Sequence, residues 1–580
     1  MACSTRSRRA ASCILLGIAA VLAVPAIAAT EELTGYGPAI IQAVQDDDRA
    51  AVAELLKRKV DVNVREEDGA TPLSWAAVRC NVEIARLLLQ AGANPNLRNE
   101  QGIDALYLAI VNGSPAIVKL LLENGADANA ARGDGETRLM TAARLGQFDV
   151  VKMLLGHGAE VNAREEKFGQ TALMWAAGFP AEVRLLVDHG ADVRAISKVW
   201  DITATIYTPT TATLGKTGIP WNNDGTYTSK QGGQNALLFA VQKHDLESAG
   251  ILIDAGVDVN SASADGTTPL LAALYKWDPL GKEFVAGKGA PSPSGSSAHY
   301  GADLAMANFL LDRGAKVNVR DGEGYTPLHG AAIAVATVTT LGRDRSAYGG
   351  GRAVRSSSPR ATPAPPSAIN LDDALAMVKR LLDLGADPNA QTLYPTSGPV
   401  GDVRINPAPP GSSPFHIAAD SDCVELVRML GGKGANPNLL RKDGHTPFTV
   451  AVKSTDVAVV KEMVAHGADL NALYNPTDHF ADPVKPISLP RGHQTVMHIA
   501  AGAAAAEVIE YLYSLGVTLN AKNSRGETPL DLADEQERYH EAAAREGAED
   551  KPDRVVKRDT TTTDAIRKLL AGGDTQSRKS

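Results

Sequence analysis

Cysteine is scarce in this chain, with four in 580 residues, and Cys3 and Cys13 sit in an N-terminal segment built like an export signal. Only Cys80 and Cys423 lie beyond it, so there is no Cys-x-x-Cys pair for zinc and no Cys-x-x-Cys-His haem site. Aromatic residues are few as well, at 5%, whereas Ala, Leu, Val and Gly are plentiful. Side chains that small suit closely stacked helices better than a few large cores. Positive charge is not in excess: 58 Lys and Arg against 67 Asp and Glu give a net charge of −9. An acidic chain with no concentrated basic face is a poor candidate for nucleic acid. No segment beyond the N-terminal one is apolar enough to span a membrane. Hydrophobic content of 44% argues against disorder, and the length would fill several domains or one long array.

The N-terminus has the three parts of an export signal. Arg6, Arg8 and Arg9 form the basic region, Cys13 to Val24 the apolar region, and Ala26-Ile27-Ala28 a small-x-small cleavage pattern. Residues 1–28 are therefore expected to be removed, leaving a chain that starts near Ala29. Ala10 to Ala29 is long enough to serve instead as an uncleaved anchor, but Pro25 and the small residues after it favour cleavage. Removal takes away three arginines and no acid, which moves the net charge to about −12. The expected location is periplasmic or secreted, with no membrane span after cleavage.

What the chain has in quantity is self-similarity. Gly69, Gly102, Gly135 and Gly169 are spaced 33, 33 and 34 residues apart. Each precedes a helix-opening phrase: Thr71-Pro72-Leu73, Asp104-Ala105-Leu106, Thr137-Arg138-Leu139 and Thr171-Ala172-Leu173. The phrase returns at Thr268, Thr326, Ser413, Thr446 and Thr528. In the second half of each unit a Leu-rich helix ends at a Gly, and an Asn follows four residues on, as in Gly92 and Asn96 or Gly125 and Asn129. One member departs: Gly190 is followed by Arg194. Thr71 is a good N-cap, Pro72 fits the first helical position, and Gly92 can take the left-handed conformation that ends the second helix. Ala76 and Ala77 keep the first helix thin, and the Asp/Asn-rich stretch up to the next Gly forms a hairpin-like finger.

These phrases resemble the ankyrin repeat, whose Thr-Pro-Leu-His signature Thr326-Pro327-Leu328-His329 matches in full. The resemblance covers nearly all of residues 37–571, in about twelve copies. Gly232 to Ala240, flanked by insertions, also resembles the large exported ankyrin-repeat proteins of bacteria. The resemblance implies an all-α repeat solenoid of stacked helix pairs, with fingers along one edge. It implies a protein partner bound through the fingers and first helices of a concave face. The family shares no binding residues, so none can be carried over. In an elongated array Cys80 and Cys423, about seven repeats apart, cannot meet in a disulfide.

The expected organisation is a signal at 1–28, a starting cap at 37–67, regular repeats at 68–195, an insertion at 196–231, further repeats at 232–525, a closing cap at 526–571 and a disordered tail at 572–580. The later repeats carry insertions at about 275–302, 333–370, 391–411 and 472–492. Residues 285–298 and 349–368 are rich in Gly, Ser and Pro and read as linkers, with Arg343, Arg345, Arg352, Arg355 and Arg360 making the second region basic. The 196–231 insertion is different. Trp200, Tyr207, Trp221 and Tyr227 sit among Thr and Asn just behind the irregular Arg194, and exposed Trp and Tyr are favoured interface anchors. These five residues are the candidate partner contacts, although a long loop also needs aromatics merely to pack. Contacts are expected to centre on the fifth to tenth repeats.

Catalytic chemistry finds no support. His329, His416 and His498 hold the signature position, where the imidazole usually bonds to the adjoining turn, and histidines on separate repeats do not converge on one metal. Gly215-Lys216-Thr217 lacks the earlier glycine of a phosphate loop, and there is no Gly-x-Ser-x-Gly elbow. No cofactor is expected. The reading is an exported, non-enzymatic scaffold, monomeric, that binds a protein. Its alternatives are a small-ligand or hydrolytic site carried by 196–231, or a secreted effector aimed at a host protein.

Overall fold

A computed structural model describes residues 36–209, 221–275, 302–341, 369–393, 411–421, 423–475, 492–546 and 560–576. The expected signal at 1–28 and most of the four later insertions lie outside these residues. Twelve helix pairs are described, from Tyr36–Gln45 with Arg49–Lys57 to Pro529–Glu546 with Thr561–Gln576. They fall into two compact units of six pairs each: residues up to Trp200 with Lys230–Ala264, and Asp201–Ser229 with Asp265 onward.

The second pair shows how the sequence makes the unit. Thr71 Oγ1 accepts from the Ser74 N–H at 3.1 Å while Ser74 Oγ accepts from the Thr71 N–H at 2.8 Å, a reciprocal cap that starts Pro72–Val78. Ala76 and Ala77 are fully buried, so the next first helix can approach closely. Asn81 caps Val82–Gln90, which buries Ile84, Ala85 and Leu88. Burying one such Leu is worth about 2 kcal/mol. Gly92, at φ +90°, ends the helix. Within each unit first helices pack on first helices and second on second.

Within each unit the recurrent Asn ties successive repeats together. Asn96 Nδ2 donates to Gly125 O at 2.9 Å and its Oδ1 accepts from Asp127 N at 2.8 Å. Asn129 does the same with Gly158 and Glu160, and Asn162 with Gly190 and Asp192. In the second unit Asn318, Asn389 and Asn438 repeat the clamp. Arg194 breaks the series although its backbone keeps the turn, its N–H donating to Asp192 Oδ1 at 3.0 Å. Arg194→Asn is therefore expected to restore a donor to Gly256 O and an acceptor for Asp258 N, raising the stability of the first unit by about 1 kcal/mol. Denaturant melts of the two proteins check this, and an unchanged or lowered midpoint contradicts it.

Strands supplement the helical pattern. β1 (Val199–Pro209) and β2 (Trp221–Gly232) form a two-stranded sheet from the 196–231 insertion, with β2 running one residue past its expected end. β3 (Leu473–Tyr474) pairs antiparallel with β4 (Gln494–Thr495), closing the 472–492 insertion at its base. Two helices outrun their expected limits. Pro327–Leu341 continues past residue 333 because no stop signal precedes Gly342 in an apolar run. Thr561–Gln576 runs through Gly572 and Gly573, so the expected tail begins as helix; each Gly costs about 1 kcal/mol, which does not break it.

Candidate partner-binding surface

In the first unit the fingers and first helices bring together aromatic rings and arginines. Trp75, Trp175 and Phe239 stand four residues after their N-caps Thr71, Thr171 and Asn235, and all three are half-buried. The indole N–H of Trp75 donates to Glu66 Oε2 on its finger at 2.7 Å, and that of Trp175 donates to Gln170 Oε1 at 2.7 Å. Both rings are thus held in one orientation. On the third repeat the half-buried Tyr107 ring carries two guanidinium groups, Arg132 at 5.6 Å and Arg138 at 5.1 Å from its centroid. Arg144 stacks over Trp175 at 5.5 Å. Such cation–π contacts contribute about 0.5–1 kcal/mol each where partly exposed.

Buried carboxylates hold the arginines in place. Glu136, only 5% exposed, accepts from Arg132 at 2.7 Å, Arg144 at 3.1 Å and Thr141 Oγ1 at 2.8 Å. Beneath it Arg138 is fully buried, its Nε and Nη2 bonded to Asp104 at 3.2 and 2.6 Å and Nη2 also to Gly102 O at 2.9 Å. Asp104 occupies a Thr position of the signature and Arg138 a Pro position, so these two departures from the repeat answer each other. Glu165, also buried, accepts from the backbone of Lys167, Phe168 and Gln170 and shapes the next finger.

That finger receives the insertion. Lys198 N donates to Phe168 O at 2.7 Å, Arg164 Nη1 to Ile196 O at 2.6 Å, and the Lys198 ammonium to Glu166 O. Trp200 is half-buried with its ring 5.4 Å from that of Phe168, over which Lys167 sits at 4.7 Å. Gly232 is required here: at φ +85°, any side chain would meet Lys198 O and the Trp200 ring. Of the five expected contacts, Trp200 joins this surface at the root of β1 and Arg194 is exposed. Tyr207 lies on β1 and Trp221 and Tyr227 on β2, but their side chains are outside the described residues. Sequence reasoning missed Trp75, Tyr107, Arg132, Arg144 and Trp175. The signal for the two indoles was the return of an aromatic residue four positions after the N-cap in the second, fifth and sixth repeats; Tyr107 stands one position earlier on its helix, and the arginines follow no such pattern.

The second unit carries its polar groups differently. His329 Nδ1 accepts from Thr326 N at 3.1 Å, and its Nε2 reaches Ser412 O at 3.2 Å. His416 and His498 repeat the arrangement with Ser413 and His445, and with Thr495 and Glu527. Burial holds His329 at a pKa of about 4, and burial with Arg441 nearby holds His416 at about 3. All three are therefore neutral parts of the scaffold at neutral pH. At the seventh and eighth fingers, burial and the neighbouring Asp321 and Asp265 push Glu323 up to about 7. A raised carboxyl favours the folded state while protonated and loses that advantage as pH rises through its folded value. Glu323→Gln is thus expected to match the wild type at pH 4 and exceed it at pH 8. The expected excess is about 1 kcal/mol after allowing for solvent screening. Melts at the two pH values check it, and an equal difference at both contradicts it.

Among the described residues no group of three or more His, Cys, Asp or Glu is placed to hold a metal. None of the described helices is long and apolar enough to cross a membrane. Profiles of ankyrin repeats match residues 40–132, 126–197 and 367–474 (three copies) and 481–533 (many copies), together more than half of the chain. The chain belongs to the ankyrin-repeat family, an all-α repeat solenoid that generally serves as a protein-binding scaffold. It is 34% identical over 93 residues to the BTB/POZ domain and ankyrin repeat-containing protein NPR5 of Oryza sativa subsp. japonica, across 14% of this chain and 16% of that protein. It is 32% identical over 125 residues to the B-cell lymphoma 3 protein homolog of Mus musculus, across 21% and 24%. A longer alignment, 348 residues at 24% identity, joins it to the E3 ubiquitin-protein ligase KEG of Arabidopsis thaliana, across 52% of this chain and 20% of that one. The chain thus spans no more than 24% of the length of these relatives.

Proposed function

We propose that this chain is an exported, non-enzymatic scaffold that binds a protein partner, with contacts centred on the fingers and first helices of the second to fifth repeats. One observation carries the reading: Trp75, Tyr107 and Trp175 stand half-buried on packed first helices, with Arg132, Arg138 and Arg144 stacked on two of the rings. Trp, Tyr and Arg are the residues that dominate interface energetics when water is excluded around them. The two indoles and the three guanidinium groups are each already held by a hydrogen bond or ion pair, so association immobilises few side chains and loses little entropy. The basic, apolar and small-x-small regions of residues 1–28 support export, and with it a location in the periplasm or outside the cell. Partner capture with and without the two indoles tests the surface: loss of a specific partner supports it, and retention opposes it.

A further inference from the structure

β1 and β2 pair with each other, and no third strand joins them among the described residues. Each strand therefore keeps one edge whose backbone donors and acceptors meet no other described strand. At 11 and 12 residues the strands are about twice the usual length, and an isolated two-stranded ribbon is only marginally stable in water.

The two edges differ in sequence. β2 contains Asp224, Gly225 and Lys230 and follows directly on Pro220, and these residue types discourage edge pairing. From Ile202 to Thr208, β1 has no charge, no proline and no glycine, and Ile202, Thr203, Thr205, Ile206 and Thr208 are all β-branched. Its first five residues, Ile202 to Ile206, also read the same in both directions about Ala204: Ile202 mirrors Ile206 and Thr203 mirrors Thr205. If β1 paired antiparallel with β1 of a second copy, a two-fold axis at Ala204 would set Ile202 opposite Ile206 and Thr203 opposite Thr205. Ile–Ile pairs would then fall on one face and Thr–Thr pairs on the other, both favourable cross-strand combinations. A slip of one residue would set Ile against Thr and lose both.

We propose that the chain self-associates as a two-fold dimer through the edge of β1, joining two strand pairs into one four-stranded sheet. A second copy is the fitting occupant because the mirrored sequence matches only a strand that carries the same pattern in reverse, and two-fold contacts close on themselves. The interface is small, so a Kd on the order of 10 µM is expected. Sequence alone suggested a monomer; the edge becomes visible only once 199–209 is known to be a strand. The proposal does not depend on the partner surface of the second to fifth repeats.

Sedimentation velocity on the full-length protein from about 1 to about 200 µM tests it. The wild type is expected to shift from monomer to dimer, and Ala204→Lys to stay monomeric with unchanged helical circular dichroism, because it sets like charges against each other at the axis. Under oxidising conditions Ala204→Cys is expected to form a covalent dimer. Ile202→Cys is not, because its two copies would lie about 13 Å apart along the strands. The wild type controls for Cys80 and Cys423, neither of which is in a disulfide. A wild type monomeric throughout, a dimer that survives Ala204→Lys, or cross-linking through position 202 as readily as through 204 would each overturn the proposal.

Discussion

Arg138→Ala is expected to lower the stability of the first unit by about 3 kcal/mol, because it leaves the carboxylate of Asp104 buried without its main counter-charge. The figure sits at the low end for a broken buried pair. Asp104 is only 2% exposed but keeps the Tyr107 N–H at 2.7 Å and Arg98 at 3.9 Å. The pair itself need not stabilise the fold. Replacing both members by the residues the signature has elsewhere, Asp104→Thr with Arg138→Pro, is expected to return stability to within about 1 kcal/mol of the wild type. Thr can still cap the Tyr107 N–H, and Pro is tolerated at the first helical position, where the backbone gives up only the 3.3 Å bond from Arg138 N to Ala130 O, while the lost side chain also gives up its bond to Gly102 O and its place over Tyr107. Because repeat arrays unfold in segments, hydrogen exchange in the third and fourth repeats reads this better than a global melt. A double variant as unstable as the single one would show that the ion pair supplies something the Thr-Pro form does not.

Trp75→Ala and Trp175→Ala are each expected to weaken partner binding by about 2 kcal/mol, roughly thirty-fold, with the fold retained. The rings are half-buried, and their losses fall on different repeats, so the two effects should add within about 0.5 kcal/mol. Arg144→Ala is expected to cost binding less, about 1 kcal/mol, through release of the Trp175 ring it covers. Titration of the partner by fluorescence or calorimetry measures all three. Equal affinities for wild type and both indole variants would remove these rings from the interface.

Much of the fold was legible because it repeats. The spacing of Gly69, Gly102, Gly135 and Gly169 and the Gly-to-Asn interval located the helix pairs, and the failure at Arg194 marked the one clamp the first unit lacks. The strands of the insertion were harder to see. Trp200, Ile202, Ala204 and Ile206 alternate with polar residues, but the run is Thr-rich and sits beside loop-forming Asn and Gly. The surface was least legible. A Trp at one helix position is visible in sequence, yet the placing of Arg132 and Arg138 over Tyr107 depends on how adjacent fingers stack. The insertions are what stand out in the sequence, and the uninterrupted second to fourth repeats, which carry most of this surface, look featureless beside them.

The central claim is that the second to fifth repeats bind a protein. Affinity capture from envelope and culture fractions tests it most directly, with three baits: the wild type, the Trp75→Ala/Trp175→Ala variant, and a chain with residues 196–231 replaced by a short turn. A specific partner retained by the wild type and lost from the indole variant is the expected result, whatever the third bait does. A partner held equally by the wild type and the indole variant would contradict the claim, and its loss from the third bait alone would move the site to the strand pair.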